Sequence, residues 1–306
     1  MSFSALLAAL LLEYFRPLPL RFRVYSWFEA YAHYLERLFN AGEHRHGVLA
    51  WLLGTLPLTV AVAVAGYFLT DLSPLLGWAW SAAVLYLLMG FKQFSASAAK
   101  LASLLHKQEL DEARRQLGQW TGREASSWPA SELARLGIEE TLSSAYKQLF
   151  GVVVWFVAFG AGGAVLYRLA QILGQKWGAL DEREFGEFGT FAVRVLGWME
   201  WVPLRLTAIS FAVVGDFENA MYSWRSQAGQ WAQQGMGIIL ASGAGALGVR
   251  LGEPSVGGEA ESRLERGIGD EADADYLDSV LSLVWRVLVM WLVLLLLLTL
   301  ARWTAN

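Results

Sequence analysis

The sequence contains no cysteine among its 306 residues. Disulfide frameworks, thiolate metal sites and cysteine nucleophiles are therefore excluded. Charged residues are also scarce, at 17% of the chain, whereas soluble domains carry about 25%. Because 55% of the residues are hydrophobic and several apolar runs are long enough to cross a bilayer, this scarcity indicates an integral membrane protein.

Positive charge is not in excess either, since the formal net charge is −4, and nothing in the composition predicts a nucleic-acid partner. The N-terminal stretch MSFSALLAALLLE lacks the basic region and the clear cleavage site of a secretory signal, so we expect it to be retained. No Walker GxxxxGK[ST] motif is present. Gly243, Gly245 and Gly248 spell GxGxxG, but the following GVRLGEP does not open the helix of a dinucleotide site. Tight packing or a phosphate-contacting loop fits these glycines better.

The apolar runs predict an all-α integral membrane protein, a bundle of about five transmembrane helices with cytoplasmic helical segments. We divide the chain into a short apolar helix followed by an interfacial amphipathic helix (1–46), a membrane hairpin (47–91), a cytoplasmic helical segment (92–148), a second hairpin (149–215), a cytoplasmic segment with a glycine-rich loop (216–279) and a C-terminal membrane helix (280–306). The apolar run Phe3–Leu12 is short for a full span, and whether it crosses the membrane is left open.

The distribution of Lys and Arg predicts which side each segment faces. The turn at Asp71–Pro74 contains neither residue, whereas five arginines precede the first hairpin and many basic residues follow it. By the positive-inside rule, the turn lies outside and the soluble segments lie in the cytoplasm. We expect the chain to be a multi-pass protein of the bacterial inner membrane.

The stretch Phe188–Trp224 is the one around which we expect the other membrane segments to pack. It is long and apolar, yet it carries Arg194, Glu200 and Arg205, and Pro203 is expected to kink it. Each such charge costs about 3 kcal/mol at membrane depth unless it faces protein or water. The stretch therefore belongs inside the bundle. A structural ion pair between Glu200 and Arg205 and a ligand site beside the helix are both open interpretations.

His44 and His46 are close together in the sequence, next to Glu43. A metal site needs three or four convergent ligands, and no supporting group accompanies these residues. We interpret them as solvated residues at the membrane interface and predict no metal site.

Four segments carry motifs that occur together in one family. LHKQELDEARRQLGQWTGRE looks like that family's soluble helix ending in a GRD turn, YRLAQILGQKWG is similar to YRxxNTLDxxxG, and FGTFAVRVLGWMEWVPLRLTAI is similar to FG…ARLDDxxNxxPxRLTA. The segment GALGVRLG, Gly245–Gly252, matches the family signature without a change. Over nearly the whole chain, the sequence thus resembles the membrane-bound adenosylcobinamide-phosphate synthases, CobD/CbiB, and their relative AmpE.

The resemblance implies a site facing the cytosol, where a carboxylate of adenosylcobyric acid is joined to the amine of aminopropanol or its phosphate and ATP supplies the driving force. The implied ligands are a corrinoid and a nucleotide, with ATP and Mg²⁺ needed only if synthase activity is retained; the cofactors and catalytic residues are otherwise unknown. Candidate ligand-binding residues at or near the motif positions are Arg123, Glu124, Glu139, Arg168, Glu200, Arg205, Gly245, Gly248 and Arg250.

The chain departs from the family pattern at several polar positions. In the ESxxENxxD motif, Ser143, Ser144 and Lys147 replace Glu, Asn and Asp. Gln171 and Gly174 fall at the NTLD motif, and the DDxxN and SPNxGWPE motifs are replaced as well. Because loss of several Mg²⁺ ligands should abolish ATP chemistry, we expect a protein without synthase activity, an AmpE-like ligand-binding or regulatory membrane protein.

Two alternatives remain beside that expectation. The chain could be a synthase whose rearranged metal site uses Glu124, Glu139 and Glu200, or a structural subunit of a larger membrane assembly. The bilayer is the one certain partner, and a protein partner or a second copy of the chain stays open.

The absence of cysteine makes the predicted sidedness directly testable with single introduced thiols. In intact cells, a membrane-impermeant maleimide should label Ser73→Cys in the external turn and leave Glu109→Cys unlabelled until the cells are opened. Labelling of Glu109→Cys from outside would reverse the predicted orientation.

Overall fold

The computed structural model describes residues 2–16, 21–39, 43–125, 127–180, 186–231, 234–252 and 269–304. Within these ranges the regular structure is helical, and the β-type pairing recorded there is an isolated parallel bridge between Val249 and Asp270. The predicted all-α class is confirmed. Residues 253–268 of the predicted glycine-rich loop and residues 181–185 of the predicted second hairpin lie outside the described residues.

The helices follow one another with short connections. They are α1 (Ser2–Phe15), α2 (Arg21–Phe39), α3 (His44–Leu72), α4 (Pro74–Leu88), α5 (Phe91–His106), α6 (Leu110–Thr121), α7 (Ala130–Ala145), a π-helical turn (Tyr146–Phe150), α8 (Gly151–Gly178), α9 (Thr190–Val214), α10 (Phe217–Gln227), a 3₁₀ turn (Ala228–Gln230), α11 (Gln234–Leu247) and α12 (Ala274–Thr304).

Among the described residues, four helical ranges are long and apolar enough to cross a membrane: His44–Leu72, Pro74–His106, Ala130–Gly178 and Ala274–Arg302. The chain is therefore a multi-pass membrane protein. Helix α9, the fifth predicted span, has 25 residues but is less apolar than these four because it carries Arg194, Glu200 and Arg205. Phe3–Phe15 and Gly235–Leu247 are shorter apolar helices.

The chain divides into two compact units. The first unit comprises Met1–Met89, Gln148–Trp201 and Leu298–Asn306. In it, α3 packs against α2, α4 and α8, and α1 packs against α4 and α8. Fully buried side chains such as Leu6, Leu85 and Trp177 form its core.

Small residues of the AFGAGGA sequence in α8 let α3 and α8 approach closely. A Cβ added to Gly162 would lie 3.0 Å from the Cβ of Ala63. The same sequence also interrupts α8, which was not predicted. Phe159 and Gly160 have non-helical backbone angles, and the φ of +67° at Gly160 is one that glycine adopts without strain.

The stretch Phe188–Trp224 forms two helices, not the single kinked helix that we expected. Helix α9 continues through Pro203 and ends at Val214, and Gly215 and Asp216 separate it from α10. Asp216 then caps α10, because its carboxylate accepts a hydrogen bond from the backbone N–H of Asn219 at 3.0 Å. The glycine and the cap end one helix and begin the next.

The second unit comprises Gly90–Lys147 and Val202–Leu297. In it, α7 packs against α5, α6 and α11, and α10 packs against α11. The side chains of Leu101 and Leu277 fill the space beside Gly137. A Cβ on Gly137 would lie 2.5 Å from a carbon of Leu101 and 3.0 Å from a carbon of Leu277. This glycine therefore lets α5 and α12 approach α7.

Arg286 of α12 contacts the C-terminal end of α9. Its guanidinium donates to the carbonyl oxygen of Val214 at 3.3 Å, and Val214 is the last residue of α9. A cation at a helix C-terminus satisfies an orphan carbonyl and offsets the helix dipole. Trp291 adds a second link between α12 and α9, because its indole N–H donates to the hydroxyl of Ser210 at 2.8 Å.

The packing around Gly137 predicts a large difference between two leucine truncations. Leu101→Ala should destabilise the protein by about 2–5 kcal/mol, because Leu101 is fully buried and truncation leaves a cavity. Leu206→Ala, at a position 44% exposed, should change the stability by about 0.5 kcal/mol or less. Thermal unfolding of the two purified variants in detergent measures both, and equal shifts would contradict the packing described.

Candidate functional site

The turn after α6 places Arg123 and Glu124 at the protein surface. Gly122 ends the helix in the left-handed conformation, with a φ of +72°, and its N–H donates to the carbonyl oxygen of Gly118 at 2.8 Å. The hydroxyl of Thr121 accepts from the N–H of Arg123 at 3.3 Å. The backbone that carries the GRE motif is thus fixed at its start, and the Arg123 and Glu124 side chains are exposed.

A line of acid, base and acid occupies one face of α7. The guanidinium of Arg135 contacts the carboxylate of Glu132 at 2.6 Å and that of Glu139 at 3.0 Å. The side chains of Arg135 and Glu139 are only 10% and 14% exposed. At this depth each charge needs its partner, because an unpaired buried ion is strongly unfavourable.

A second carboxylate, that of Glu140, follows directly. The hydroxyl of Ser144 donates to it at 3.0 Å, and the positive charges of Lys147 and Arg123 act on it. Lys147 lies in the π-helical turn that follows α7. Such turns are rare and often mark functional sites, because the wider turn redirects the side chains it carries.

The segment Gly245–Gly252 completes the cluster. Gly245 packs so closely against the backbone of Asn219 and Ala220 that a Cβ would overlap them. Gly248 turns the chain with a φ of +69°. Four residues later, the backbone N–H of Gly252 is directed at the carboxylate of Glu139, on which the charge of Arg123 also acts.

The second unit thus brings together Arg123, Glu139 and the Gly245–Gly252 segment, which are far apart in the sequence. We call the group formed by Arg123, Arg135, Glu139, Glu140, Lys147 and Gly252 the carboxylate cluster. Glu124 lies beside Arg123 in the same turn, and the side chain of Arg250 is exposed.

The remaining candidates lie elsewhere in the described chain. Arg205 is on the part of α9 that belongs to the second unit, whereas Arg168 and Glu200 belong to the first. Arg168 hydrogen-bonds to Gln171, the residue at the replaced NTLD motif. The assignment of these three residues to a ligand site stays a prediction.

Sequence reasoning missed four members of the cluster. Arg135 and Glu140 were not singled out, Gly252 was noted only as the end of a motif, and Lys147 only as a replacement. The spacing of Glu132, Arg135 and Glu139 was a usable signal, because residues three and four apart share a helix face. The contact of Gly252 with Glu139 joins distant parts of the chain, and no local pattern indicates it.

The carboxylates of the cluster do not fit a metal ion held by the protein alone. No group of three His, Cys, Asp or Glu side chains suited to a metal occurs within the ranges that the structure describes. Glu139 is already paired with Arg135. Mg²⁺ is commonly bound through ligand phosphates, water and one or two carboxylates, an arrangement that does not require three protein carboxylates.

The arrangement is suited to binding an anion and handling a proton. Arg123 and Lys147 supply positive charge beside two carboxylates, and α7 fixes the distance between those carboxylates. Preorganised charges of this kind stabilise negative charge that develops on phosphate or carboxylate oxygens.

The paired charges on α7 predict an unequal response to removal of two arginines. Arg135→Met should destabilise the protein by about 3–5 kcal/mol, because it leaves the carboxylate of Glu139 buried without its cation. Arg115→Met removes an arginine that is 70% exposed and paired with Glu112, and it should cost about 1 kcal/mol or less. Thermal or denaturant unfolding in detergent compares them, and a mild effect of Arg135→Met would show that Glu139 is not held as described.

Comparison with known proteins covers nearly the whole chain. The family model described as "CobD/Cbib protein" matches residues 6–284. A protein of Stutzerimonas stutzeri named "Cobalamin biosynthesis protein CobD" is 36% identical over 299 residues, which are 96% of this chain and 97% of that protein. A protein of the same name from Chromobacterium violaceum is 33% identical over 71% of this chain and 70% of its own length. One from Mycobacterium tuberculosis is 25% identical over 66% and 67%. No solved structure gives a significant match.

These comparisons overturn the expectation of a protein without enzymatic activity. A relative named for cobalamin biosynthesis is similar to this chain almost from end to end, and nothing in the comparisons supports an AmpE-like regulatory role. The expectation was wrong because it counted each replaced motif residue as a lost metal ligand, whereas the cluster balances its carboxylates with arginine, lysine and a backbone amide. A match of this extent assigns the chain to a family: it belongs to the CobD/CbiB proteins.

Proposed function

We propose that this protein is a membrane enzyme of cobalamin biosynthesis, an adenosylcobinamide-phosphate synthase. It would join a carboxylate of adenosylcobyric acid to the amine of aminopropanol or its phosphate, with ATP as the energy source. A corrinoid and a nucleotide are then its ligands. The site would face the cytoplasm, which is the orientation predicted from the Lys and Arg distribution.

One observation carries the proposal: the similarity to a protein named for cobalamin biosynthesis extends over 96% of the chain. The carboxylate cluster supports it independently, because it places acids and bases of the required kinds together. The reaction itself is taken from the resemblance of the motifs to the synthases, since the relatives' names state the pathway only.

Amide formation from a carboxylate requires that one carboxylate oxygen become a leaving group. ATP supplies this by transferring to that oxygen either a phosphoryl group, with release of ADP, or a nucleotidyl group, with release of pyrophosphate. The amine then attacks the carbonyl carbon, the bond from that carbon to the activated oxygen breaks, phosphate or the nucleoside monophosphate leaves, and the nitrogen loses a proton. Arg123 and Lys147 would stabilise the negative charge on the transferred group. Glu140 would accept the proton of the amine. Glu139, placed by Arg135 and Gly252, would keep the positive charges of the cluster in fixed positions.

The remaining motif residues have proposed roles in binding. Arg205 and Arg250 would contact anionic groups of the substrates, and Arg168, Glu124 and Glu200 are retained as candidates of the same kind. Gly245 acts by allowing close packing of α11 on α10, and Gly248 acts by turning the chain toward the cluster.

The direct test is an amide-forming assay on the purified protein in detergent, with adenosylcobyric acid, aminopropanol phosphate, ATP and Mg²⁺. Mass spectrometry should detect the amide product. Glu139→Gln should lower kcat/KM by at least about 100-fold, because it removes a charge from the reacting site. Glu112→Gln, which changes a carboxylate paired with Arg115 outside the cluster, serves as the matched control and should stay near the unmodified protein.

Lys147→Met separates binding from chemistry in the same assay. If Lys147 contacts the phosphates of ATP, the KM for ATP should rise more than the KM for the amine. A protein that forms no product while an authentic synthase does so under the same conditions would contradict the proposed function.

A further inference from the structure

The two ends of the segment between α11 and α12 are joined by backbone hydrogen bonds. The N–H of Arg250 donates to the carbonyl oxygen of Asp270 at 2.9 Å, and the N–H of Asp270 donates to that of Gly248 at 3.0 Å. These bonds form the isolated parallel bridge of Val249 and Asp270. The segment that follows α11 and leads to Gly252 is therefore held by hydrogen bonds to Asp270, which lies just before α12.

Glycines make this pairing sterically feasible. Gly248 and Gly269 have φ values of +69° and +138°, and a Cβ on Gly269 would overlap the backbone of Gly248. Both conformations are ones that glycine adopts readily. The close approach brings the strand of Val249 directly against Asp270.

Tyr276 closes the same group from α12. Its hydroxyl lies 3.2 Å from Oδ2 of Asp270 and 3.5 Å from the carbonyl oxygen of Gly248, so it can donate to both ends of the bridge. Tyr276 is itself fixed, because the carboxylate of Asp273 accepts from its N–H at 3.1 Å and from that of Asp275 at 2.9 Å. These two bonds cap the first turn of α12.

The bridge lies two residues from the carboxylate cluster. Two residues of extended chain span about 7 Å, so the position of Arg250 sets where the amide of Gly252 can reach. That N–H is directed at the carboxylate of Glu139. A displacement at Asp270 or Tyr276 would thus be transmitted through the backbone to the Glu139 carboxylate.

We propose that Tyr276 and Asp270 are positioning residues for the amide-forming site: they clamp the Gly248–Gly252 segment so that the Gly252 amide is held on Glu139. This inference rests on the proposed function for its effect on turnover, whereas the clamp itself is a property of the fold. The clamp touches neither of the carboxylates directly and acts through the backbone.

Tyr276→Phe tests the clamp with the smallest change, since it removes the hydroxyl and keeps the ring. We expect kcat/KM to fall by about tenfold, because a misplaced amide leaves a catalytic charge poorly held, and we expect the melting temperature to stay within a few degrees. Tyr222→Phe removes the hydroxyl of a tyrosine that is 57% exposed on α10 and should have no effect. Asp270→Ala removes the acceptor and should repeat the effect of Tyr276→Phe.

A double-mutant cycle distinguishes positioning from general stability. If Tyr276 acts through Glu139, then Tyr276→Phe combined with Glu139→Asp should be within about twofold of Glu139→Asp alone, because residues in one network are not additive. Losses that multiply would show that Tyr276 does not act through Glu139 and would overturn the inference.

Hydrogen exchange followed by mass spectrometry gives a readout that does not depend on activity. The backbone amides of 249–252 should exchange at least about tenfold faster in Tyr276→Phe and Asp270→Ala than in the unmodified protein, and Tyr222→Phe should leave them unchanged. Unchanged exchange in both clamp variants would overturn the clamp. Faster exchange in a protein that forms no amide would support the clamp while contradicting the proposed function.

Discussion

The arrangement of the candidate site depends on one buried charge, that of Arg135. It lies between Glu132 and Glu139 on the same face of α7, and its side chain is only 10% exposed. Burial of ions is favourable only when geometry and additional hydrogen bonds compensate the lost hydration. Glu139 obtains that compensation from Arg135, from the Gly252 amide and from the charge of Arg123. The buried carboxylate of Glu139 on α7 is therefore stabilised only when the Arg123 turn and the Gly245–Gly252 segment lie beside it.

Close packing allows those segments to reach α7. Gly243 on α11 lies against Leu142 of α7, and a Cβ there would lie 2.7 Å from a carbon of that leucine. Gly137 of α7 likewise leaves room for Leu101 of α5 and Leu277 of α12. Without a Cβ on these glycines, the neighbouring helices can approach closely. The glycines of the GxGxxG pattern thus serve packing and a chain turn, and they contribute to the site by bringing Gly252 to Glu139.

Local patterns predicted the helical class and the long apolar helices, because length and hydrophobicity act within one segment. The break at Gly215 falls at the predicted boundary between the second hairpin (149–215) and the segment 216–279, although Phe188–Trp224 was also treated as one helical stretch. For the site, the motifs identified Arg123, Glu139 and Gly245–Gly252 but not their contacts. Tyr276 approaches Asp270 and Gly248, and the Gly252 amide approaches Glu139, through tertiary folding, and neither periodicity nor spacing contains that information.

The replaced motif positions show why residue identity alone is a poor measure of lost activity. Lys147 stands where the family pattern has Asp, and read by itself it removes a carboxylate. In the structure it acts on the neighbouring carboxylate of Glu140, together with Arg123 and the Ser144 hydroxyl. What a reaction on phosphate and carboxylate groups requires is a fixed balance of charge at the reacting atoms, and a cation on a π-helical turn can contribute to that balance. The substitution therefore changes how the charge is supplied, and the chemistry of the site follows from the sum of its charges and their spacing.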